Sequence, residues 1–363
     1  MLAAGYNVES ASMDAPDADF LSTYPFEAHA LGPGIARYGY SSRLMGWLRE
    51  NVARYDCVLV HGLWGYHSLA TWRVLRNRNV PYLVFTHGML DPWFKRHYPL
   101  KHLKKWLYWP WAEYRVLRDA NMVLFTCEEE RRLARESFWL YRCKEAVVGL
   151  GVPTPGEDDA EQREAFFRKF PRLIGKRLVL FLSRIHPKKG CDLIVQAFAD
   201  VFGGKAEWQL VMAGPDQIGW KAELELQASE LGISDQITWP GMISGREKWG
   251  AYRAAEVFVL PSHAENFGIV VAEALACNLP VLISNKVNIW REIAADGAGI
   301  VVPDTLPGTI DLFERWLGMS PDEQEQMRRQ TKLCFDTRFE LTRVAAALVD
   351  EVCRSTYARG LPS

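Results

Sequence analysis

Two glutamates eight positions apart, Glu265 and Glu273, give the chain its strongest chemical signal. The apolar run Val257–Leu260 before them is typical of a buried parallel strand, and the run from Ile269 to Cys277 is typical of a helix. Glu265 is therefore expected at the carboxyl end of a strand, and Glu273 about two turns into the next helix. Both carboxylates would lie close to the start of that helix.

The start of this predicted helix is a candidate binding surface in its own right. Its first residues are Asn266, Phe267 and Gly268. The unpaired backbone N–H groups and the dipole of a helix start favour an anionic or hydroxyl-rich ligand. The two carboxylates could accept hydrogen bonds from vicinal hydroxyls while the amides hold other oxygens. This arrangement suits a nucleotide sugar, and the alternative is a surface loop with two solvated acids.

A second candidate site follows the apolar run at 178–182. It contains Arg184 and Lys189, five positions apart, and Gly190, which precedes a predicted helix at 192–202. Two cations beside a helix start can hold a diphosphate and can stabilise the charge that grows on a leaving group. The alternative is a surface turn with ordinary basic side chains.

Two further strand-end loops contain glycine. One carries Gly214, and the other carries Gly241 followed by Met242. Either loop could pass its backbone near a base or a ribose, although glycine-containing turns are common without any ligand.

Strand and helix signals alternate along both halves of the chain. The strand signals are short apolar runs at 57–61, 82–86, 122–126, 178–182, 208–212, 257–260 and 280–283. Continuous rather than alternating hydrophobicity predicts burial on both faces, and therefore parallel sheets covered by helices. One such helix is predicted at 103–117. We expect an α/β protein with two doubly wound Rossmann-like domains facing a cleft, with ligand at the carboxyl ends of the strands.

The stretch 149–160, rich in Gly, Pro and acid, is the predicted linker. It separates an amino-terminal Rossmann-like domain at 1–148 from a carboxy-terminal Rossmann-like domain at 161–340. A terminal helix at 341–363 could cross back to the first domain. At 363 residues, 48% of them hydrophobic and 24% charged, the chain is long enough for two cores.

Composition excludes several classes of protein. No run of 18 apolar residues occurs, and no basic-then-apolar leader pattern opens the chain, so neither a membrane span nor a secretory signal is predicted. Seven cysteines without a Cys-x-x-Cys pair fit reduced thiols in a cytoplasmic protein better than disulfides or a zinc site.

Taken together, the motifs resemble the family 4 (group 1) glycosyltransferases, which are retaining enzymes of the two-Rossmann-domain GT-B architecture. The resemblance covers nearly the whole chain and rests on Arg184…Lys189-Gly190, Ala213-Gly214-Pro215, Gly241 and Glu265-Asn-Phe-Gly…Glu273-Ala. Two elements of the first half are similar to the branch that builds exopolysaccharide and cell-envelope glycans: His61-Gly-Leu-Trp64-Gly-Tyr66 and Thr86-His-Gly-Met-Leu-Asp-Pro-Trp93.

The resemblance implies a role for each candidate residue of the second half. Glu273 would bind the ribose hydroxyls, and Arg184 and Lys189 would hold the diphosphate. Glu265, with the backbone amides of residues 266–269, would hold the donor sugar. The predicted nucleotide-sugar site comprises Gly214, Met242, Glu265, Asn266, Phe267, Gly268, Ile269 and Glu273.

In the first half, His87 matches the family histidine that approaches the donor sugar from the amino-terminal domain. His61, Trp64 and Asp91 are expected on the acceptor side. The alternatives are a histidine satisfied at a strand end for His87 and plain packing for Trp64. The predicted catalytic set is His87, Arg184, Lys189 and Glu265.

The sequence therefore predicts transfer of a hexose, with UDP-glucose as the first choice of donor, to a growing polysaccharide or lipid-linked glycan. No residue is a convincing nucleophile, so positioning and diphosphate stabilisation would carry the chemistry. One rival is a nucleotide-sugar epimerase of the same architecture, against which the Glu-x7-Glu pattern argues. The other rival is a nucleotide-sugar-binding protein without catalysis.

The beginning of the chain departs from the family pattern. Residues 1–10 resemble the end of the usual first helix, capped by Gly5, followed by the second strand. The first strand and its glycine-rich loop are therefore expected to be missing, which would leave two central strands without a backbone partner. Asn278 stands where relatives usually carry glycine, and asparagine tolerates the left-handed conformation.

No cofactor and no metal ion are expected. Asp17 and Asp19 have the Asp-x-Asp spacing by which other glycosyltransferases hold a divalent ion, but they lie in a Pro-containing acidic loop with no Rossmann domain before it. Arg184 and Lys189 could neutralise the diphosphate instead.

The segment 94–111 holds five Lys or Arg, six aromatic residues and no acid. We expect it to dock on an anionic membrane surface through Lys101, Lys104 and Lys105, which predicts peripheral association with the inner face of the plasma membrane. The alternative is a basic helix whose Trp residues pack in the core. No nucleic-acid-binding motif accompanies the segment, so no nucleic-acid partner is predicted.

Overall fold

The computed structural model describes residues 1–2, 5–156 and 158–357. Residues 3–4 of the predicted first domain, Glu157 of the predicted linker and residues 358–363 of the predicted terminal segment lie outside these ranges. The chain divides into two compact units. The amino-terminal unit is formed by Met1–Gly149 and the chain from Val344 onward, and the carboxy-terminal unit by Leu150–Arg343.

The amino-terminal unit contains two parallel sheets. Its strands are β1 (Glu9–Ser12), β2 (Glu27–Ala30), β3 (Val58–His61), β4 (Tyr82–Phe85), β5 (Met122–Phe125) and β6 (Glu145–Val147). β3 to β6 pair in sequence order, and β1 pairs with β2 in a separate two-stranded sheet. Gly5 has a φ of +82°, the left-handed conformation expected of a helix cap before β1. No ladder among the described residues joins β1 to β3.

Six α-helices are described within Met1–Gly149. They are α1 (Ser42–Asn51), α2 (Tyr66–Leu75), α3 (Trp93–His97), α4 (Pro99–Tyr108), α5 (Glu113–Asp119) and α6 (Glu128–Ala134). Val84 and Phe125 join the larger hydrophobic cluster, whereas Leu83, Phe85 and Leu124 form a second cluster. This alternation along continuous apolar strands confirms the prediction of a sheet buried on both faces.

The carboxy-terminal unit is built on one six-stranded parallel sheet. Its strands are β7 (Arg177–Leu182), β8 (Trp208–Ala213), β9 (Ile237–Gly241), β10 (Val257–Leu260), β11 (Val281–Ser284) and β12 (Gly299–Val302). Their order is β12-β11-β10-β7-β8-β9, so the order reverses around β7 and β10. The loops that follow these two central strands carry the two candidate motifs, as expected at a switch point of such a sheet.

Eight helices of the carboxy-terminal unit are described. They are α7 (Asp159–Lys169), α8 (Cys191–Phe202), α9 (Lys221–Glu230), α10 (Gly245–Ala254), α11 (Ile269–Ala276), α12 (Trp290–Ala295), α13 (Leu306–Gly318) and α14 (Pro321–Cys334). A last helix, α15 (Leu341–Tyr357), follows, and its Leu348 and Val352 pack on the cluster formed by Leu83, Phe85 and Leu124. None of the helices within the described ranges is both long and apolar enough to cross a bilayer.

The predicted helix at 103–117 is wrong in one respect, because it is two helices. α4 ends at Tyr108, a short 3-10 turn spans Trp109–Trp111, and α5 begins at Glu113. Pro110 explains the break, since proline lacks a backbone N–H and its ring clashes with the preceding helical turn.

Candidate functional site

Two glycines allow the strand-end loops of the carboxy-terminal unit to pack closely. Gly190 has a φ of +68°, and a Cβ at this position would lie 2.5 Å from the carbonyl oxygen of Pro261. Gly214 has a φ of +140°, and a Cβ there would overlap the carbonyl oxygen of Ser183. The loops after β7, β8 and β10 therefore meet at one edge of the sheet, and motifs that are distant in sequence become neighbours.

Lys189 and Glu265, predicted separately from two motifs, form an ion pair between Nζ and Oε2. The lysine side chain is only 8% exposed, and the glutamate side chain is 21% exposed. A buried charge is stable only when it is paired, so each side chain accounts for the burial of the other. The pair lies at the carboxyl ends of β7 and β10, where the sequence predicted a site.

Glu273 is held by two side chains of α10 that the sequence prediction missed. Its Oε1 accepts a hydrogen bond from Lys248 Nζ at 2.7 Å, and its Oε2 accepts one from the Tyr252 hydroxyl at 3.0 Å. Burial raises the pKa of Tyr252 well above its ordinary value, so this hydroxyl remains a donor. The spacing of Lys248 and Tyr252, four residues apart on one helix face, is the signal that could have identified them.

The start of α11 presents backbone rather than side chains. Gly268 has a φ of +81° and precedes the first helical residue. The Phe267 side chain is buried, and its ring packs edge-to-face on Phe339 at 5.6 Å, so Phe267 can meet a ligand only through its backbone. Ile269 is 49% exposed. Asn266 directly follows Glu265 in the same loop.

A cavity of about 350 Å³ lies between the ends of β8 and β9. It brings together Gly214 and Met242, two residues predicted for the nucleotide site. The wall is completed by Ile185, Met212, Pro215, Asp216, Lys221, Trp239, Pro240 and Gly241. The Asp216 carboxylate accepts backbone N–H groups of Ile218, Trp220 and Lys221, which fixes the loop. Arg184, adjacent to the cavity-lining Ile185, is exposed.

In the amino-terminal unit, His61 and His87 lie ring to ring. His61 Nδ1 and His87 Nε2 are 3.0 Å apart, so one ring donates its N–H to the other. Both rings stack on Phe85, with centroid distances of 5.2 and 5.4 Å. Desolvation lowers the pKa of both histidines, and repulsion from His87 lowers that of His61 further. The two predicted residues therefore form a pair of neutral rings near neutral pH.

A buried carboxylate that the sequence prediction missed, Glu130, holds the loop that carries His87. Its Oε1 accepts hydrogen bonds from the Gly88 N–H at 2.5 Å and from Thr86 Oγ1 at 2.6 Å. Its Oε2 accepts two from Thr126, through N–H at 2.7 Å and Oγ1 at 2.6 Å. These contacts explain how His87 keeps a φ of +48°, which is unfavourable for a residue with a side chain.

A second missed carboxylate, Glu113, holds the loop that carries Trp64. Its Oε1 accepts the Trp64 N–H at 2.8 Å and the Ser68 hydroxyl at 3.0 Å, while no hydrogen bond reaches Oε2 among the described residues. Burial raises the pKa of Glu113 to about 7. Trp64 has a φ of +68°, and its Nε1 donates to the carbonyl oxygen of Met89 at 3.0 Å.

Trp64 also packs, as the alternative interpretation held. Its ring contacts those of Trp109 and Phe138 at 5.9 and 5.3 Å. Asp91 accepts the Trp93 N–H at 2.7 Å and thereby caps the start of α3.

Two remaining predictions concern the turn at Asn278 and the acidic loop of Asp17 and Asp19. Asn278 adopts a φ of +58°, which confirms that asparagine supports a left-handed turn there. Asp17 and Asp19 are both exposed. A group of potential metal ligands in the described structure comprises Glu9, Glu27 and His29. It is internally paired, since Glu9 accepts hydrogen bonds from His29 and Tyr55.

Two family models match this chain. The family model for group 1 glycosyl transferases matches residues 162–333, and that for the glycosyl transferase 4-like domain matches residues 2–151. The D-inositol 3-phosphate glycosyltransferase of Mycolicibacterium smegmatis is 33% identical over 205 residues, 55% of this chain and 43% of the relative. The alpha-D-kanosaminyltransferase of Streptomyces kanamyceticus is 30% identical over 220 residues, 60% of this chain and 56% of the relative.

Solved structures share the fold at lower sequence identity. Sucrose-phosphate synthase from Thermosynechococcus elongatus is 21% identical with a TM-score of 0.73, over 98% of this chain and 90% of that one. Anabaena HepE, solved with UDP and glucose, is 13% identical with a TM-score of 0.73, over 95% and 91% of the two chains.

The matched segment spans between 34% and 43% of the length of the first four curated relatives. The two family models nevertheless cover most of this chain, one in each unit. The α/β fold with parallel sheets is the one found in GT-B glycosyltransferases. The chain belongs to the group 1, family 4 glycosyltransferases.

Proposed function

We propose that the protein transfers a hexose from a nucleoside diphosphate to a growing polysaccharide or lipid-linked glycan, with retention of the anomeric configuration. The observation that carries the proposal is the ion pair between Lys189 and Glu265 at the carboxyl ends of the two central strands. A cation and a hydrogen-bond acceptor that are already desolvated at a helix start can bind a diphosphate and a sugar hydroxyl without further burial.

Each part of the donor has a complementary group in the carboxy-terminal unit. Arg184 and Lys189 bind the diphosphate and stabilise the charge that develops on it as the glycosidic bond to the leaving group breaks. Glu265 and the backbone amides of residues 266–269 hold the sugar. Glu273 binds the ribose hydroxyls, and the cavity beside Gly214 receives the base.

The reaction depends on charge stabilisation by side chains. Arg184 and Lys189 supply two positive charges for the diphosphate, so the proposal needs neither a metal ion nor another cofactor. His87 belongs to the proposed catalytic set, and its ring is held against His61 within the amino-terminal unit. His61, Trp64 and Asp91 belong to the acceptor side.

The substrates proposed are UDP-glucose and a polysaccharide or lipid-linked acceptor, which gives the enzyme a reason to work at an anionic membrane surface. The relatives named above are a D-inositol 3-phosphate glycosyltransferase and an alpha-D-kanosaminyltransferase. An inositol phosphate should therefore be tested among the acceptors, and a kanosamine nucleotide among the donors. An epimerase would interconvert the donor sugar without any acceptor, and a binding protein would leave it intact.

A two-stage experiment tests the proposal. Thermal unfolding is first measured with UDP, GDP, ADP and their sugars, because a ligand at 100 times its dissociation constant adds about 2.7 kcal/mol to stability. The stabilising nucleotide sugar is then incubated with and without acceptors, and the products are separated. Acceptor-dependent release of the nucleoside diphosphate is expected. Epimerised sugar, or an unchanged donor with every acceptor, would contradict the proposal.

A further inference from the structure

Helix α4 carries its apolar residues on the outside. Leu100, Leu103 and Leu107 are 78%, 54% and 60% exposed, and their spacing of three and four residues places them on one face. None of the ten residues of α4 is fully buried. A surface helix of a soluble protein normally turns such a face toward the core.

Three other residues of α4, His102, Lys105 and Tyr108, fix this orientation by facing inward. The Lys105 ammonium lies 4.4 Å from the centre of the Trp64 ring, and the His102 ring stacks on Phe138 at 4.8 Å. The Tyr108 hydroxyl is 2.6 Å from that of Tyr38. The leucine face therefore cannot turn inward without breaking all three contacts.

Exposed tryptophans extend the apolar surface. Trp111 and Trp139 are 71% and 62% exposed, and Trp106, at 42%, lies 6.0 Å from Trp139. Among Trp106, Trp109 and Trp111, only Trp109 is in the core, where it is fully buried. The interpretation that the Trp residues of this segment pack in the core therefore holds for Trp109 alone.

The segment that carries this surface is basic. Lys95, Lys101 and Lys104 are exposed, and no Asp or Glu occurs between residues 94 and 111. Lys105, in contrast, is half-buried against Trp64, and desolvation lowers its pKa. The expectation that Lys105 contacts lipid is therefore wrong, whereas Lys101 and Lys104 are positioned to do so.

We propose that the outward face of α4 inserts into an anionic bilayer, with its leucines and the neighbouring tryptophans among the acyl chains and Lys95, Lys101 and Lys104 at the headgroups. Tryptophan and lysine at the edge of a leucine face are typical of helices that lie in the membrane interface. The proposal extends the proposed function. It rests on that function only for the reason that the protein would bind a membrane, which is the location of a lipid-linked acceptor. The inward contact of Lys105 with Trp64 joins the inserted helix to the predicted acceptor loop.

Vesicle flotation tests the insertion. Vesicles of phosphatidylcholine with phosphatidylglycerol, and of phosphatidylcholine alone, are mixed with the full chain and its variants. We expect the parent to float with the anionic vesicles and the L100Q/L107Q variant to partition roughly a hundredfold more weakly, because two leucines leave the bilayer. The matched control is L226Q/L333Q, which replaces leucines that are 61% and 56% exposed on helices of the other unit and should float like the parent.

Lysine substitutions distinguish the exposed lysines from the half-buried Lys105 in their effect on vesicle binding. Replacing Lys95, Lys101 and Lys104 by Gln should weaken flotation and remove most of its salt dependence. The K105Q variant should float as strongly as the parent and with the same salt dependence. A parent that does not float, or an L100Q/L107Q variant that floats as well as the parent, overturns the proposal. A concentration-dependent dimer that L100Q/L107Q abolishes, without vesicle binding, overturns it in favour of a second copy of the chain. Turnover with a soluble acceptor, measured without vesicles, reports separately on the proposed function.

Discussion

The two units use glutamate in opposite ways. In the carboxy-terminal unit, Glu265 and Glu273 are paired with the lysines Lys189 and Lys248 at the edge of the sheet. In the amino-terminal unit, Glu113 and Glu130 are buried and accept hydrogen bonds from backbone N–H groups and hydroxyls. The first arrangement can exchange a partner for a ligand, whereas the second fixes the shape of a loop.

This difference between the two kinds of glutamate indicates which unit offers charge to a ligand and which unit holds its loops in a fixed shape. A lysine released from a glutamate can turn to a diphosphate, because both ions lie beside a helix start that already favours anions. A carboxylate that holds backbone N–H groups cannot be released without leaving buried donors unpaired, which is costly. Charge is thus available in the carboxy-terminal unit, while the histidine pair of the amino-terminal unit is neutral and held in place.

The largest effect is expected from removing the two cations of the carboxy-terminal unit. The double substitution Arg184→Ala with Lys189→Ala should lower the rate of transfer by roughly a hundredfold or more, because the developing diphosphate charge loses its partners. Turnover at saturating donor measures this directly. Lys205→Ala, an exposed lysine at the opposite edge of the same sheet, is the control and should keep the parental rate. An unchanged rate in the double variant would remove both residues from the mechanism.

Removing a loop-holding carboxylate should instead reduce stability. Glu130→Ala leaves Gly88, Thr86 and Thr126 without their acceptor, and we expect a loss on the order of 3 kcal/mol in the free energy of unfolding. Denaturant titration checks this value. Glu128→Ala, two positions away and half-exposed, should change stability by less than about 0.5 kcal/mol. Similar losses in both variants would show that Glu130 does not hold the loop.

Glu113 predicts a pH dependence of stability. Its pKa in the folded protein is raised to about 7 from an ordinary value of 4.5. Between pH 4.5 and pH 7 the carboxyl group therefore holds its proton more tightly in the folded state than in the unfolded state. The contribution of Glu113 to stability therefore falls as the pH rises from 4.5 to 7, by a total on the order of 3 kcal/mol. Relative to the parent, Glu113→Gln should gain thermal stability between pH 5 and pH 8. Parallel pH profiles for the two proteins would argue against a raised pKa.

A smaller effect is expected at the proposed ribose site. Glu273→Gln keeps an acceptor for the buried Tyr252 hydroxyl but loses the charge, so nucleotide affinity should fall by about 1–3 kcal/mol while the fold is kept. Calorimetric titration with UDP compares the variant with the parent. Equal affinities would show that Glu273 serves only the packing of α10.

Much of the carboxy-terminal unit could be predicted from sequence. β10 begins and ends where the apolar run predicted, because a strand buried on both faces leaves an uninterrupted hydrophobic signal. Lys189 and Glu265 could be found because their loops combine charge with glycine at strand ends. The spacing of Lys248 and Tyr252 indicates only that they share one helix face, because their contact with Glu273 depends on how α10 packs against α11.

The amino-terminal unit was harder to predict. Residues 128–130 are three consecutive glutamates, and only the helix direction after β5 decides that Glu130 enters the core. The periodicity of residues 99–108 indicates an amphipathic helix, but which face turns inward is decided by Trp64, Phe138 and Tyr38, which lie far away in sequence. Contacts of this kind are set by tertiary packing, which a local sequence pattern does not contain.

The stereochemistry of transfer tests the central claim most directly. UDP-glucose, which carries an α-linked sugar, is incubated with the protein and an accepted acceptor, and the anomeric configuration of the new linkage is read by NMR. Positioning and diphosphate stabilisation by the carboxy-terminal unit, with retention, predict an α-linked product. A β-linked product would contradict the account.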